Sequence, residues 1–188
     1  MRLSLSIRQA YRDTTARESV KAKRNATFTV HYEAHREQVY RYLYGRTGNK
    51  EDAHDLTAQT FLAAYKNYTQ YNADAPFLHW VMGIAHNKCV DFYRQKREVV
   101  ALDTIAPPMH PAPLPEDAVD KQMQLEQVAH ALQTLSEARQ EVIALRLFAG
   151  MSNSEIADIM NKTPQAVAVL VHRALQDLKA QLSEGGNT

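Results

Sequence analysis

The sequence is poor in the features that mark membrane, secreted and disordered proteins. Only one of its 188 residues is a cysteine, Cys89, so an internal disulfide and a multi-cysteine zinc site are both excluded. Seven prolines and six glycines are too few for a chain that is low in complexity throughout. No apolar run approaches the roughly 18 to 20 residues that span a membrane, and the first residues lack the apolar stretch of a secretory signal. We therefore expect a globular cytoplasmic protein without membrane insertion.

The common motifs of catalysis are missing as well. The sequence contains no P-loop, no GxGxxG and no GxSxG. His31 and His35 have a spacing that could bind a metal on a helix, but the segment reads HYEAH instead of HExxH and brings no third ligand. The sequence therefore predicts no catalytic residue, no metal and no cofactor. Cys89 is expected to be a packing residue.

The net charge of +1 hides an uneven distribution along the chain. Residues 1–27 hold seven lysines and arginines against two acidic residues, residues 28–98 hold nine against eight, and residues 116–188 hold six against ten. The basic extension at 1–27 is compatible with an arm that touches phosphates, a mitochondrial-type presequence or a flexible solvated tail. We expect the flexible tail and assign the extension no role.

Five of the seven prolines lie between Pro107 and Pro115 and divide the chain into two halves. Clustered prolines prevent helix and favour extended backbone, so residues 99–117 are predicted to be a linker. The N-terminal half covers residues 28–98, the C-terminal half covers 118–182, and 183–188 form a tail. Helical periodicity dominates both halves and no strand pattern of any length appears. The predicted fold is all-α, with two small helical domains joined by a flexible proline-rich linker.

Two helices are predicted in the N-terminal half after residue 48. Asn49 precedes a helix that runs to about Tyr68, with Asp52, Asp55 and Gln59 on a face that is available to a partner. Pro76 opens a long second helix. Its core stripe is expected to consist of Phe77, Trp80, Val81, Ile84, the stem of Lys88 and Phe92. The opposite edge of that helix carries His79, His86, Tyr93, Arg94 and Arg97.

The C-terminal half has clear helix boundaries. Ser136 is predicted to cap one helix, which Gly150 ends, and Ser152 with Glu155 fits a capping box that opens a short second helix. Asn161 and Lys162 form a turn, and Thr163 caps a third helix with Pro164 at its first position. A short helix, a tight turn and a longer helix are typical of a helix-turn-helix, although two helices of an ordinary bundle give the same pattern.

Together the two halves resemble bacterial sigma factors of the extracytoplasmic-function (ECF) group. The similar stretches are EDAHDLTAQTFLAAYKNY and PFLHWVMGIAHNKCVDFYRQKR in the first half, and LSEARQEVIALRLFAGMSNSEIADIMNKTPQAVAVLVHRALQDL in the second. The resemblance implies a region 2-like domain at 28–98 that binds core RNA polymerase and the −10 promoter element. It also implies a region 4-like helix-turn-helix domain at 118–182 that reads the −35 element.

The resemblance also assigns candidate binding residues. Those for the clamp of the largest polymerase subunits are Asp52, Asp55 and Gln59. Those for the −10 element are Asn72, Asp74, His79, His86, Asn87, Arg94, Lys96 and Arg97. Those for the −35 element are Lys162, Thr163, Gln165, His172 and Arg173. Trp80 is expected to be a core residue, and the role of Tyr71 is left open.

Two departures from the family pattern bear on these assignments. The middle of the third helix reads AVAVLV at 166–171, where many members carry lysine or arginine. Attraction to DNA phosphates should therefore be weak. The helix can still read DNA, because apolar side chains can contact the methyl groups of thymine. Ala58 and Gln59 stand where the family often has glutamine and glutamate.

An anti-sigma protein is a further partner that the resemblance implies. The alternatives are a helix-turn-helix regulator that acts without polymerase and a small helical hydrolase with a His/Asp site.

Overall fold

The computed structural model describes the backbone of residues 3–100 and 116–185 and the side chains of residues 21–98 and 125–180. Every regular element in these ranges is helical, so the predicted all-α fold is confirmed. The helices are α1 Leu3–Thr47, α2 Lys50–Lys66, α3 Phe77–Val100, α4 Glu116–Gln133, α5 Glu137–Phe148, α6 Asn153–Met160 and α7 Pro164–Gly185, with a 3₁₀ turn at Tyr68–Gln70. Residues 101–115, most of the predicted linker, lie outside the described residues.

The chain divides into two compact units, residues 1–35 and 36–188. The first unit is the N-terminal part of α1, so the extension that was expected to be a flexible tail is helical from Leu3. The physical reason lies in the sequence: no proline or glycine occurs before Gly45 to interrupt the helix. Where their side chains are described, threonines of this unit bond back to the preceding turn, with Thr27 Oγ1 donating to the Lys23 carbonyl at 3.0 Å.

In the second unit, the end of α1 packs with α2 and α3. Gly48 ends α1 with a φ of +65°, and Asn49 then caps α2 by accepting a hydrogen bond from the Asp52 amide at 3.0 Å. The predicted start of this helix directly after Asn49 is confirmed. The buried side chains that hold the three helices together include Val39, Leu43, Ala53, Leu56, Phe61, Phe77 and Val81.

The face of α3 that is buried is wider than the sequence pattern predicted. Phe77 and Val81 are buried as expected, while Trp80, Ile84, Lys88 and Phe92 are only half-buried. Met82, Ala85 and Cys89, which were not assigned to the stripe, are fully buried. Helix α3 has neighbours in both α2 and α6, so more than one side of it is covered.

Helices α5, α6 and α7 follow the boundary signals of the sequence. Gly150, with a φ of +67°, comes directly after the last turn of α5, and Asn161 ends α6 in the left-handed conformation. Ser152 and Glu155 form the complete capping box. Thr163 Oγ1 accepts from the Ala166 amide at 3.2 Å at the start of α7. Ser136 occupies the cap position of α5, but its side chain makes no capping hydrogen bond. The helix-turn-helix is therefore present as predicted.

Candidate functional site

The exposed face of α2 carries the first group of candidate residues. Asp55 and Gln59 are exposed, and Asp52 is half-buried with its carboxylate 3.9 Å from the Lys96 amine. Leu62 lies on the same face one turn further along and is 54% exposed. Leu62 was not among the residues predicted for this face, although its i+7 spacing from Asp55 places it there. The exposed face of α2 therefore carries negative charge near the N-terminus of the helix and the apolar side chain of Leu62 further along.

The loop between α2 and α3 displays polar groups that are held by local hydrogen bonds. Asn72 donates to the Asp74 carboxylate at 2.7 Å, and the Asp74 amide donates to Asn72 Oδ1 at 3.2 Å. Tyr71 Oη donates to the Ala75 carbonyl at 2.7 Å, which closes the loop at its base. Both Asn72 and Asp74 are exposed, as their predicted role requires.

An aromatic cluster packs against this loop through Tyr71. The Tyr71 ring lies 5.4 Å from Phe77 and 5.1 Å from Trp80, and Tyr68 lies 5.9 Å from Tyr71. Phe77 is buried, whereas Trp80 is half-buried at the edge of the cluster. Trp80 therefore packs within the domain, and Tyr71 lies between this cluster and the solvent-facing loop.

The remaining candidates on α3 fall into two sets. Asn87, Arg94, Lys96 and Arg97 are exposed, and His79 and His86 are half-buried. Arg94 forms an exposed pair with Asp91 at 2.9 Å, and Lys96 lies over the Phe92 ring at 5.3 Å from its centroid. These cations line the end of α3. Arg97 and His86, in contrast, contact helix α5 of the C-terminal half.

His86 belongs to a buried polar network between the two halves, which we call the Glu141 network; its members are Tyr42, Arg46, His86, Gln140 and Glu141. Glu141 Oε1 accepts from Tyr42 Oη at 2.6 Å and from His86 Nδ1 at 3.0 Å. Glu141 Oε2 lies 2.6 Å from Arg46 Nε in an ion pair, and Arg46 Nη1 donates to Gln140 Oε1 at 2.6 Å. The side chains of Arg46 and Glu141 are only 5% and 4% exposed.

The network extends to the last turn of α1. The backbone carbonyls of Gly45 and Arg46 lie at the end of the helix. Both accept hydrogen bonds from the side-chain amides of Gln133 and Gln140, at 3.0 to 3.3 Å. Tyr93 Oη also donates to the Arg46 carbonyl. A Cβ atom at Gly45 would lie 2.5 Å from the Phe148 ring, so glycine permits this close approach. Groups of the C-terminal half thus satisfy the end of a helix in the N-terminal half.

The protonation states in this network follow from its contacts. Burial alone raises the pKa of the Glu141 carboxyl, but the hydrogen bond from His86 and the charge of Arg46 outweigh it and hold that pKa below its ordinary value. Burial lowers the pKa of Arg46, but the negative charge of the adjacent Glu141 carboxylate raises that pKa by a larger amount. The net shift of the Arg46 pKa is therefore upward. Burial and the Glu141 charge raise the pKa of Tyr42 well above its ordinary value. The pair is therefore ionised and buried.

The turn before α7 and the first three turns of this helix display all five candidates for the −35 element. Lys162, Thr163, Gln165, His172 and Arg173 are exposed. Gln165, Val169 and His172 lie at i, i+4 and i+7 and share the outward face, where Val169 is 49% exposed. Val167 and Ala174 point to the opposite side and are buried. The outer face of α7 therefore carries polar residues together with exposed apolar side chains, among them Val169 and Leu175, each 49% exposed.

In the described part of the chain, no cluster of histidine, cysteine and acidic residues has the geometry of a metal site. None of its helices is both long and apolar enough to cross a membrane. Cys89 is buried, and this burial raises the pKa of its thiol to about 11.

Comparisons with known proteins agree with this arrangement. Residues 31–99 match the family model for Sigma-70 region 2, and residues 125–178 match the one for Sigma-70, region 4. The chain is 32% identical over 190 residues to the ECF RNA polymerase sigma factor SigD of Mycobacterium tuberculosis, covering 93% of this chain and 85% of SigD. It is 31% identical over 158 residues to the ECF RNA polymerase sigma factor BldN of Streptomyces coelicolor, covering 81% of this chain but only 59% of BldN.

A solved structure shares the fold as well. CnrH, a sigma factor of Cupriavidus metallidurans solved in complex with the cytosolic domain of CnrY, superposes with a TM-score of 0.65 at 25% identity. The match covers 85% of this chain and 90% of CnrH. Both family regions occur in the expected order, one on each side of the proline-rich segment. The chain therefore belongs to the ECF group of the sigma-70 family of RNA polymerase sigma factors.

Proposed function

We propose that this sigma factor binds bacterial core RNA polymerase and directs it to promoters through contacts with the −10 and −35 elements. The observation that carries the proposal is the presence of regions 2 and 4 in one chain, with Asp55 and Gln59 exposed on α2 and all five −35 candidates exposed at α7. A regulator that acts without polymerase has no use for the acidic face of α2 together with the loop and cations of α3.

The contact with core polymerase is assigned to α2. Asp55 and Gln59 are exposed, and Asp52 adds a partly shielded negative charge at the start of the helix. A negative surface of this kind suits a basic partner, because complementary charges speed the encounter and fix its register. Leu62 supplies an apolar contact beside them. The partner surface is expected to be basic around a small apolar patch.

The −10 element is assigned to the loop at 71–76 and to α3. Separated strands offer unstacked bases, which require amide and carboxylate groups or aromatic surfaces beside cations for the phosphates. Asn72 and Asp74 supply the polar groups at the loop, and Arg94 and Lys96 supply cations further along α3. His79, His86, Asn87 and Arg97 complete the proposed surface.

The −35 element is assigned to the outer face of α7. Lys162 and Arg173 are the cations on this face, and Gln165 and His172 offer hydrogen bonds to base edges. Thr163 is placed at the helix start, where exposed amide groups favour a phosphate. With so few cations, affinity for DNA by region 4 alone is expected to be low and only weakly dependent on salt.

In this proposal the chemistry of RNA synthesis belongs to the polymerase, and the sigma factor itself is not an enzyme. It acts in the cytoplasm, where promoter DNA and polymerase meet.

An anti-sigma protein is a further proposed partner. CnrH, whose structure contains the cytosolic domain of CnrY, is a relative with a bound partner chain.

Transcription from a promoter library with purified core polymerase tests the proposed function. We expect initiation at a subset of promoters with the sigma factor and none without it, and the selected sequences should share two motifs. If the protein shifts duplex DNA by itself and starts no transcription, the regulator without polymerase is correct and the proposal fails.

A further inference from the structure

The feature that the proposed function leaves without a role is the basic segment at residues 1–27, which we call the basic arm. It holds seven lysines and arginines against two acidic residues, a net charge of +5. The match to Sigma-70 region 2 begins at residue 31, so the whole arm lies outside both family regions. None of the contacts proposed above for polymerase or promoter DNA uses its cations.

The rest of the chain is acidic. Residues 28–188 hold fifteen lysines and arginines against nineteen aspartates and glutamates, a net charge of −4. Region 4 contributes most of this excess, with six basic against ten acidic residues at 116–188. DNA is a polyanion, and a body of net negative charge gains no long-range attraction to it. The basic arm changes the net charge of the chain from −4 to +1 and so offsets the repulsion.

The backbone of the basic arm holds its cations along a line. It is helical from Leu3, as the N-terminal part of α1. An α-helix rises about 1.5 Å per residue, so the six cations from Arg8 to Arg24 are distributed over about 24 Å of helix axis. B-DNA carries one phosphate charge per about 1.7 Å of its own axis. Several cations of the arm can therefore contact phosphates of one duplex at the same time.

The described lysines of the basic arm are placed for such a contact. Lys21 and Lys23 are exposed, and neither is held in an ion pair among the described side chains. The sequence holds no acidic residue between Glu18 and Glu33, so Lys23 has no carboxylate one helical turn away on either side. These amines therefore present their positive charge to the solvent.

The basic arm lacks what two other occupants require. A helix that lies on a membrane surface needs a broad apolar face opposite its cations, and a helix that pairs with a second copy needs an apolar seam. Among residues 8–27, Tyr11 and Val20 are the only large apolar residues in the sequence. Serine, threonine and asparagine, whose side chains also donate hydrogen bonds to phosphates, take the other positions together with alanine and the charged residues. This composition favours nucleic acid as the partner.

We propose that the basic arm binds the phosphate backbone of duplex DNA, independently of base sequence, and supplies the electrostatic attraction that the acidic region 4 lacks. Helix α1 joins the arm to region 2 without an intervening loop. A duplex bound by region 2 is therefore presented to the arm at a high effective concentration. Binding of DNA by the arm of the free chain does not depend on the proposed function, whereas the use of the arm at promoters rests on it.

The salt dependence of DNA binding by the full chain tests the arm. Fluorescence anisotropy with a labelled duplex of about 30 base pairs, free of promoter motifs, measures Kd between about 50 and 200 mM salt. Each phosphate contact adds about −0.9 to the slope of log K against log salt. Lys21→Gln combined with Lys23→Gln should reduce the magnitude of this slope by about 1 to 2 and weaken binding about five- to tenfold at about 100 mM salt. Glutamine and lysine have similar helix propensities, so the helix is retained.

Two control variants separate the charge of the arm from other effects. Lys21→Arg combined with Lys23→Arg keeps both charges and should bind the duplex as the wild type does. Arg41→Gln combined with Lys66→Gln removes two exposed cations of region 2 that have no proposed contact. Because distant charges are screened by salt, this second control should change the affinity less than about twofold.

Three results would overturn the phosphate contact. The first is a slope and an affinity that Lys21→Gln with Lys23→Gln leaves unchanged. The second is an equal loss in the Arg41→Gln and Lys66→Gln control, because net charge alone would then explain the binding. The third concerns vesicles that contain phosphatidylglycerol. If the glutamine variant loses binding to these vesicles but keeps its binding to the duplex, the arm is a membrane-surface segment.

The holoenzyme tests the use of the arm at promoters. Cys89 is buried, so Ala22→Cys supplies the one accessible thiol for an iron-chelate reagent, next to Lys21 and Lys23. We expect this reagent to cut the duplex of the promoter complex, and Lys21→Gln with Lys23→Gln in the labelled chain should lower the cutting at least about threefold. Absence of cutting by an active holoenzyme would refute the role at promoters. If the chain directs no transcription, the proposed function fails, and the measurements on the free chain still decide the phosphate contact.

Discussion

Glu141→Ala is expected to lower the free energy of unfolding by about 3 to 5 kcal/mol, because it leaves a buried arginine without its carboxylate. Arg46 is 5% exposed and keeps only the hydrogen bonds to region 4 groups such as Gln140. Tyr42 and His86 lose their acceptor in the same step. Urea unfolding followed by circular dichroism, together with Trp80 fluorescence as a reporter within region 2, measures the change.

The paired variant Arg46→Met with Glu141→Leu is the control for this prediction. Removing both charges avoids an unpaired buried ion, so at least half of the lost stability should return. If Glu141→Ala costs less than about 1 kcal/mol, the ion pair is hydrated in the free chain and contributes little. That result would contradict the burial of the network.

Local signals in the sequence predicted the helix boundaries well. Ser152 with Glu155 and Thr163 occupy the capping positions expected of them, and Asn49 and Asn161 lie at the helix start and at the turn where the sequence placed them. Such caps depend on side chains within three or four residues, so a single sequence contains the whole interaction. Helical periodicity likewise placed Asp55 and Gln59 on an exposed face of α2.

The Glu141 network could not be predicted in the same way. Arg46 and Glu141 are 95 positions apart, and nothing in either helix distinguishes them from ordinary surface charges. The period of α3 placed His86 on an edge of the helix, but it does not say which element covers that edge. Met82 and Ala85 were missed for the same reason, because tertiary packing supplies the second buried face of α3.

Asp55→Arg is expected to weaken binding to core polymerase about 100-fold and to abolish initiation at sub-saturating concentrations. Asp55 is exposed on the face of α2 assigned to the clamp, and an arginine there meets the basic surface proposed for the partner. Charge reversal at an interface replaces attraction with like-charge repulsion, which costs several kcal/mol. Fluorescence-detected binding of labelled sigma factor to core polymerase, followed by transcription, measures both effects.

Asp158→Arg is the matched control, because Asp158 is also an exposed helical aspartate but lies on α6 of region 4. It should leave the affinity for core polymerase within about twofold of the wild type, since the same change in net charge is made outside the α2 face. Both variants should unfold at the same urea concentration as the wild type, because neither residue is buried. If Asp55→Arg binds core polymerase as tightly as Asp158→Arg, the α2 face is not the docking surface, and the contact must be sought on another helix of region 2.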